Sequence, residues 1–166
     1  MFHVVLHEPE IPNNTGNIGR TCVATGASLH LIEPLGFDID EKACRRAGLD
    51  YWPRLALSTH ADFGAYEAAT PGARRWMLST KGGSLLYDAD LRPGDHLVFG
   101  KESRGLPGEV LEGAGDRLLR LPMMPGERSL NLSSAVCTVL FEGVRQCLAR
   151  SEAELDANNC LVWRDA

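Results

Sequence analysis

HLVFGKESRGLP, residues 96–107, joins a short apolar run to a loop of glycine and charged residues that ends in a proline. A short apolar run bounded by turn formers is typical of a buried strand. Proline is favoured in the first turn of a helix. The stretch therefore predicts a strand at 96–100, then a loop, and then a helix that begins near Pro107.

The same alternation of strand, loop and helix recurs along the chain. Strands are predicted at 2–6, 29–33, 74–80, 96–100 and 117–121. Helices are predicted at 16–26, 40–48, 59–69 (capped by Ser58 or Thr59), 107–113 and about 131–150. This order predicts an α/β fold with a mostly parallel, doubly wound sheet flanked by helices. The length of 166 residues suits one domain, placed at 1–150 with a C-terminal tail at 151–166.

Composition excludes several classes of protein. The chain is 44% hydrophobic and contains no apolar stretch close to the roughly 18 residues of a membrane span. Glu8 and Glu10 follow the first apolar run directly, which is unlike a signal peptide, so we expect a cytoplasmic protein without a membrane partner. A net charge of −5 favours a local basic patch over a general polyanion surface if RNA is bound.

Cysteine and histidine spacing gives no metal or disulfide pattern. The five cysteines are scattered without a CxxC pair, which predicts reduced thiols that serve as small core residues. The five histidines form no HExxH or similar ligand spacing, so we expect no metal.

Polar loops follow four of the five predicted strands. Ligands of open α/β sheets bind beyond the carboxyl ends of the strands, so these loops are the expected site. The chain has neither GxxxxGK[ST] nor a GxGxxG after a strand, and a cofactor must be held in another way.

Three of these loops carry the candidate chemistry. In PNNTGNIGR (12–20), the turn formers predict a helix that begins near Asn17, with Arg20 one turn inside it, where an anion is favoured; an ordinary surface arginine is the alternative. In GKESRGLP (100–107), Glu102 and Arg104 are either a surface pair or part of the site. In LPMMPGERSLNLSSAV (121–136), Asn131 and the serines are candidate helix caps. Met123 and Met124 are expected to fill the core, with the apolar wall of a pocket as the alternative.

Together and in this order, the three loops resemble the motifs of the SpoU (TrmH-like) branch of the SPOUT RNA methyltransferases. They are most similar to the TrmL (YibK-type) group of tRNA 2′-O-methyltransferases. The similarity extends through LHLIEPLGF and RRAGLDY to about residue 150. It implies S-adenosylmethionine as cofactor, a C-terminal trefoil knot, and a homodimer whose active site takes residues from both chains.

The resemblance also implies roles for individual residues. Arg20 matches the catalytic arginine, and the other motif positions are Asn14, Gly16, Gly100, Glu102, Ser129 and Asn131. The positions that contact the cofactor are Leu78, Gly100, Leu121 and Ser129. Lys101 departs from the family pattern, in which a proline is usual at this position.

The implied reaction is 2′-O-methylation of a cytidine or uridine at the wobble position of tRNA. A ribose hydroxyl must lose its proton as it attacks the methyl group. Arginine is the base in family accounts, but a guanidinium deprotonates only above pH about 12. The alternative is that Arg20 orients the hydroxyl or a phosphate and the proton leaves by another route. Weaker candidates for RNA binding are Arg45, Arg46 and Lys101.

Two other functions are compatible with the sequence. The first is methylation of another tRNA or rRNA site, and the second is RNA binding by a relic of the fold that has lost its activity. The apolar residues of the final helix, Val136, Val139, Val144 and Leu148, predict a dimer interface there. The tail is expected either to pack on the dimer or to be disordered, and Trp163 has no assigned role.

Overall fold

The computed structural model describes residues 1–38 and 50–164. Seven parallel strands form the main sheet, and two further strands form a C-terminal hairpin. The strands are β1 (His3–His7), β2 (Ser28–Ile32), β3 (Leu57–His60), β4 (Arg75–Leu78), β5 (Ser84–Leu85), β6 (His96–Phe99), β7 (Leu118–Arg120), β8 (Ala153–Leu155) and β9 (Leu161–Trp163). The α-helices are α1 (Pro12–Thr25), α2 (Phe63–Ala69), α3 (Gly108–Glu112) and α4 (Leu132–Ala149).

Strand β6 lies at the centre of the sheet, whose order is β3-β2-β1-β6-β4-β7-β5. All four of its residues are buried, and it pairs with β1 on one side and β4 on the other. The five predicted strands are all present, with ends shifted by at most two residues. The predicted α/β class with a parallel sheet is therefore confirmed.

The two faces of the sheet are covered by different helices. Val4, Leu6 and Leu29 belong to a large apolar cluster that includes Val136 and Leu140 of α4. The alternate residues on the same strands face the other way, because side chains of a strand alternate between faces. On that side Val5 and Val98 pack with Tyr66 of α2 and Val110 of α3.

Helix α1 begins at Pro12, five residues before the predicted start near Asn17. Proline suits the first helical position because its missing N–H would have no partner there. Asn14 and Gly16 are therefore helical residues and not loop residues, which corrects the prediction. Arg20 is the ninth residue of the helix. The positive end of the helix dipole favours an anion only at the first turn, so the dipole does not help Arg20 to bind an anion as predicted.

The predicted helix at 59–69 is shorter than expected. Leu57–His60 forms β3, the edge strand, and α2 begins at Phe63. Its cap is Asp62, whose carboxylate accepts the backbone N–H of Ala65 at 2.7 Å, and not Ser58 or Thr59. The predicted helix at 40–48 lies outside the described residues.

The apolar side of helix α4 is largely buried against other elements of the same chain. Val136 and Val139 are fully buried, and Val144 is 5% exposed. The helix packs against α1 and β6, and Leu148 packs partly against the same core. The argument that these side chains exceed what one chain can bury is therefore wrong for Val136, Val139 and Val144, and a dimer interface at this helix stays a prediction.

The C-terminal residues fold back onto the core. Strands β8 and β9 pair antiparallel, and Ala153 is 2% exposed within the main apolar cluster. The indole N–H of Trp163 donates to the carbonyl of Thr25 at 2.8 Å, and its ring meets Phe2 edge to face at 5.8 Å. Trp163 thus covers the end of α1, where Gly26 adopts a φ of 73° and a Cβ would lie 3.3 Å from the indole nitrogen.

Two thiols occupy the core as predicted. Cys22 and Cys147 are both 0% exposed, and burial raises the pKa of Cys22 to about 12 and that of Cys147 to about 11. Cys160 is exposed on the hairpin, and Cys44 lies outside the described residues. In the part of the chain that the structure describes, none of the helices has the length and apolar character needed to cross a bilayer.

Replacement of Trp163 should show how much the hairpin contributes to stability. We expect Trp163→Ala to lower the free energy of unfolding by about 2–4 kcal/mol, because it removes a large apolar contact and a hydrogen bond. Urea denaturation measures this change. Val162→Ala is the matched control, since Val162 is 41% exposed on the same strand. Equal midpoints for the two variants would show that Trp163 does not hold the hairpin.

Candidate active site

A cleft of about 550 Å³ opens at the carboxyl ends of the central strands. It is lined by Leu78 at the end of β4, by Gly100 directly after β6, and by Leu121 directly after β7. Ser129 and Asn131 line it from the loop that precedes α4. The structure therefore brings all four predicted cofactor positions to one cleft, at the sheet edge where the sequence places the site.

The loop after β6 doubles back closely on itself. A Cβ at Gly100 would lie 2.0 Å from the carbonyl carbon of Gly105 and 2.1 Å from the nitrogen of Leu106, so only glycine fits. The N–H of Gly105 donates to the carbonyl of Lys101 at 2.9 Å, and Gly105 has a φ of 71°. The backbone of this loop thus forms part of the cleft wall without a side chain in between.

Glu102 caps the start of α1 from outside the helix. Its carboxylate accepts the backbone N–H of Glu10 at 2.8 Å and that of Ile11 at 3.3 Å. The Nδ2 of Asn14 donates to the same carboxylate at 2.9 Å. Because Ile11 has no capping side chain of its own, Glu102 supplies the negative group that a helix start favours. A surface ion pair with Arg104 is therefore not its role.

A reciprocal contact strengthens this junction. The backbone N–H and the hydroxyl of Ser103 donate to the carboxylate of Glu10 at 2.9 and 2.8 Å. These hydrogen bonds lower the pKa of Glu10, with the hydroxyl bond as the largest cause. The loop after β6 and the segment before α1 are thus fastened to each other in both directions.

Asn131 continues the network to the third motif. Its Nδ2 donates to Oδ1 of Asn14 at 2.9 Å. Its own Oδ1 accepts the backbone N–H groups of Ser133 and Ser134 at 2.9 and 3.3 Å, which makes it the cap of α4. The predicted capping role of Asn131 is therefore confirmed, and the same side chain is hydrogen-bonded to the first motif, whereas its role in the reaction stays a prediction.

Arg20 stands apart from the cleft. It lies six residues after Asn14 on α1, about 9 Å along the helix axis, and does not line the cleft. Its guanidinium carbon lies 4.5 Å from the ring centroid of Tyr51, an arrangement that cation–π attraction favours. The hydroxyl of Tyr51 in turn donates to the carbonyl of Gly16. Tyr51 thus orients Arg20, a role that is not predictable from the motif around either residue.

Of the three weaker candidates for RNA binding, Lys101 is the one that lies within the described residues. Nζ of Lys101 forms an ion pair with Glu8 at 2.5 Å, so its charge is already partnered. Arg45 and Arg46 lie outside the described residues. Three exposed cations line the cleft, namely Lys81, Arg104 and Arg128. Arg104 is already a candidate from the sequence, whereas Lys81 and Arg128 are not. Met123 lines it as well, whereas Met124 is 77% exposed, so the expectation that both fill the core is wrong.

A parallel sheet with a cleft formed by loops beyond its central strands is typical of α/β enzymes. Comparison with known proteins identifies the class of enzyme. The chain belongs to the SpoU rRNA Methylase family, which matches residues 1–141. A relative from Saccharophagus degradans, named tRNA (cytidine(34)-2′-O)-methyltransferase, is 52% identical over 147 residues, which cover 88% of this chain and 96% of the relative. The family resemblance of the three motifs is therefore confirmed.

Solved structures agree with this assignment. One, described as "Structural insights into the 2-OH methylation of C/U34 on tRNA", has a TM-score of 0.84 and 49% identity, and the match covers 90% of this chain and 98% of that one. An AdoMet-bound rRNA methyltransferase from Sinorhizobium meliloti has a TM-score of 0.76 and 27% identity, with 87% of this chain and 56% of that one covered.

Addition of a single methyl group at Gly100 should disrupt the cleft. We expect Gly100→Ala to lower the free energy of unfolding by about 2–3 kcal/mol or more, because the loop must move away from Gly105. Gly108→Ala is the control, since a Cβ there meets nothing within 4 Å. Thermal unfolding of both variants tests the claim, and equal stability would refute the close packing of this loop.

Neutralisation of Glu102 should loosen the junction between the motifs. Glu102→Gln puts an amide N–H₂ group where only acceptors fit, so we expect a loss of about 1–3 kcal/mol in stability. The exposed Glu112 provides the control variant Glu112→Gln. Chemical denaturation distinguishes them. A Glu102→Gln protein as stable as Glu112→Gln would mean that the carboxylate does not hold α1.

Proposed function

We propose that this protein methylates the ribose 2′-hydroxyl of the cytidine or uridine at position 34, the wobble position, of tRNA, with S-adenosylmethionine as methyl donor. The observation that carries the proposal is the chain of hydrogen bonds from Glu102 through Asn14 to Asn131. It joins three motifs that lie far apart in the sequence, at the mouth of a cleft of ligand size. A relative that acts on the same nucleotide is 52% identical over most of the chain.

The cleft suits the proposed cofactor. Its volume of about 550 Å³ lies within the range of roughly 300–1,000 Å³ that is usual for small-molecule sites. Leu78 and Leu121 offer apolar surface for an adenine ring, and Ser129 offers a hydroxyl. The exposed backbone at Gly100 lets a ligand approach the loop directly. S-adenosylmethionine supplies an electrophilic methyl group on a sulfonium when bound there.

The cleft itself has no cluster of metal ligands. Among residues 1–38 and 50–164, the one group of three histidine, cysteine or acidic residues close enough to share an ion lies elsewhere, on β1, β2 and β6. We therefore propose that the residues of the cleft act on the methyl donor and the ribose without a metal ligand set of their own.

Arg20 is proposed to position the RNA. In the transfer, the ribose oxygen forms a bond to the methyl carbon, the sulfur–carbon bond breaks with its electron pair left on sulfur, and the hydroxyl proton passes to water. The guanidinium of Arg20, held over Tyr51, is exposed and can hydrogen-bond a ribose oxygen or a phosphate. Such a contact stabilises the negative charge that the oxygen gains as its proton leaves, and the guanidinium stays protonated throughout.

The RNA is proposed to cross the rim of the cleft. Lys81, Arg104 and Arg128 are exposed there and can contact phosphates, despite the overall charge of −5. An unpaired anticodon loop suits such a rim because its bases can be splayed while the ribose is held.

A homodimer is proposed to complete the site. Arg20 does not line the cleft of its own chain, so a second copy is needed to bring an arginine and a cofactor cleft together. Ile11 and Leu130 are 44% and 47% exposed at the rim of the cleft, and they are better candidates for the interface than the buried face of α4. The trefoil knot and the cytoplasmic location remain proposals that rest on the family resemblance.

The activity can be tested with labelled S-adenosylmethionine and tRNA. We expect the wild-type protein to label the ribose of nucleotide 34 and Arg20→Ala to reduce the rate by at least about 100-fold, a typical effect of removing one electrostatic contact to the transition state. The affinity for S-adenosylmethionine, measured by calorimetry, should be unchanged in this variant.

Two controls make the result specific. Arg117→Ala removes an exposed arginine at the opposite end of β7 and should keep the wild-type rate. A tRNA with a 2′-deoxyribose at position 34 should accept no label. Label at another tRNA nucleotide or only in rRNA would replace the proposed substrate, and cofactor binding without transfer to any RNA would support a relic of the fold.

A further inference from the structure

Four histidines gather on the face of the sheet that lies away from α1 and α4. His3 is the register partner of His96 across β1 and β6. His30 on β2 lies opposite Val5, two residues along from His3, and His60 on β3 lies opposite Ile32, two residues along from His30. Because residues two apart share a face, all four imidazoles project to the same side.

Three of these rings are close enough to share one ion. One ring nitrogen from each of His3, His30 and His96 lies within 4.8 Å of the others. Nδ1 of His3 and Nε2 of His30 are 3.1 Å apart and share a hydrogen bond when no ion is bound. The distance is close to the spacing of about 3.3 Å that two nitrogens have when each lies about 2.0–2.1 Å from a tetrahedral zinc ion, so an ion can replace the shared proton. His30 and His96 are 8% and 5% exposed, and the ring of His3 stacks on that of His96 at 4.3 Å.

The outer nitrogens of two of these rings already have partners. The hydroxyl oxygen of Tyr66 lies 2.7 Å from Nδ1 of His96, and Nε2 of His60 lies 3.1 Å from Nδ1 of His30. A metal-binding histidine usually donates its second ring N–H to such an acceptor, which fixes the tautomer and leaves the inner nitrogen free to bind. Tyr66 and His60 are placed for this supporting role.

We infer that His3, His30 and His96 bind one divalent transition-metal ion, of the kind that imidazole prefers, such as Zn²⁺. The ion joins β1, β2 and β6 on the sheet face opposite the large cluster of α1 and α4. It therefore has a structural role that is separate from the methyl transfer.

The type of ligand decides which ions fit. An all-imidazole set disfavours Mg²⁺ and Ca²⁺, which prefer oxygen ligands, and favours transition metals such as Zn²⁺. Arg75 is a side-chain cation on this face, and the carbonyl and the hydroxyl of Thr70 hold its guanidinium at 2.8 and 2.9 Å.

The test uses the full chain without a histidine tag, in a Cys160→Ser background, because the exposed thiol of Cys160 can bind metal by itself. The protein is freed of metal with a chelator and titrated with Zn²⁺ by calorimetry. We expect one equivalent to bind and the unfolding temperature to rise with zinc concentration. Co²⁺ should give the visible absorption of a tetrahedral site.

Variants distinguish the proposed zinc ligands from the neighbouring His60. His30→Gln should weaken zinc binding by more than about 100-fold, whereas His60→Gln should weaken it by only about 10- to 100-fold, the range typical of a supporting residue. His3→Asn, at the less buried ligand, replaces His30→Gln if that variant does not fold. Absence of a saturable equivalent in the wild type, or unchanged binding in the ligand variants, would overturn the site. Both results are independent of methyl transfer.

Discussion

The carboxylate of Glu102 holds together the parts of this protein that bear on its chemistry. It lies in the loop after the central strand and accepts hydrogen bonds from the start of α1 and from Asn14, 88 residues earlier in the chain. Asn14 in turn accepts a hydrogen bond from Asn131, which caps α4. Two helices therefore begin at positions that one loop fixes, and the cleft between them is formed before any ligand arrives. Such preorganisation lowers the cost of ordering the site when substrate binds.

The two faces of the sheet serve different purposes. One face carries an almost purely apolar cluster in which α1 and α4 are packed, and it positions the cleft. The other face combines a smaller apolar cluster with a row of imidazoles that includes His30 and His96. A row of buried polar rings costs stability unless each finds a partner, and the rings find partners chiefly in one another and in Tyr66. The packing that positions the cleft and the row of histidines thus lie on opposite faces of the sheet.

The sequence predicts the central strands because HLVF and its counterparts are apolar runs between turn formers. Such strands form because their own residues are buried, so the signal lies within the strand itself. It fails at the start of α1, because the polar side chain of Asn14 is satisfied by residues that are distant in the chain. It misses β3, whose sequence LSTH is half-exposed at the sheet edge and contains one aliphatic residue. The cleft is predictable from its motifs, whereas the contact of Arg20 with Tyr51 and the histidine row depend on tertiary packing and strand register, which spacing along the chain does not reveal.

The hairpin at the C-terminus also bears on how the protein is made. Phe2 and Trp163 are in contact, so the residue just before β1 is covered by a residue of β9. Synthesis proceeds at about 5–20 residues per second, and early segments can begin to fold while later ones are still being added. The side of the core that Phe2 and Trp163 share nevertheless stays open until β9 has been synthesised. Folding around β1 is therefore completed by the last of the described strands to be made.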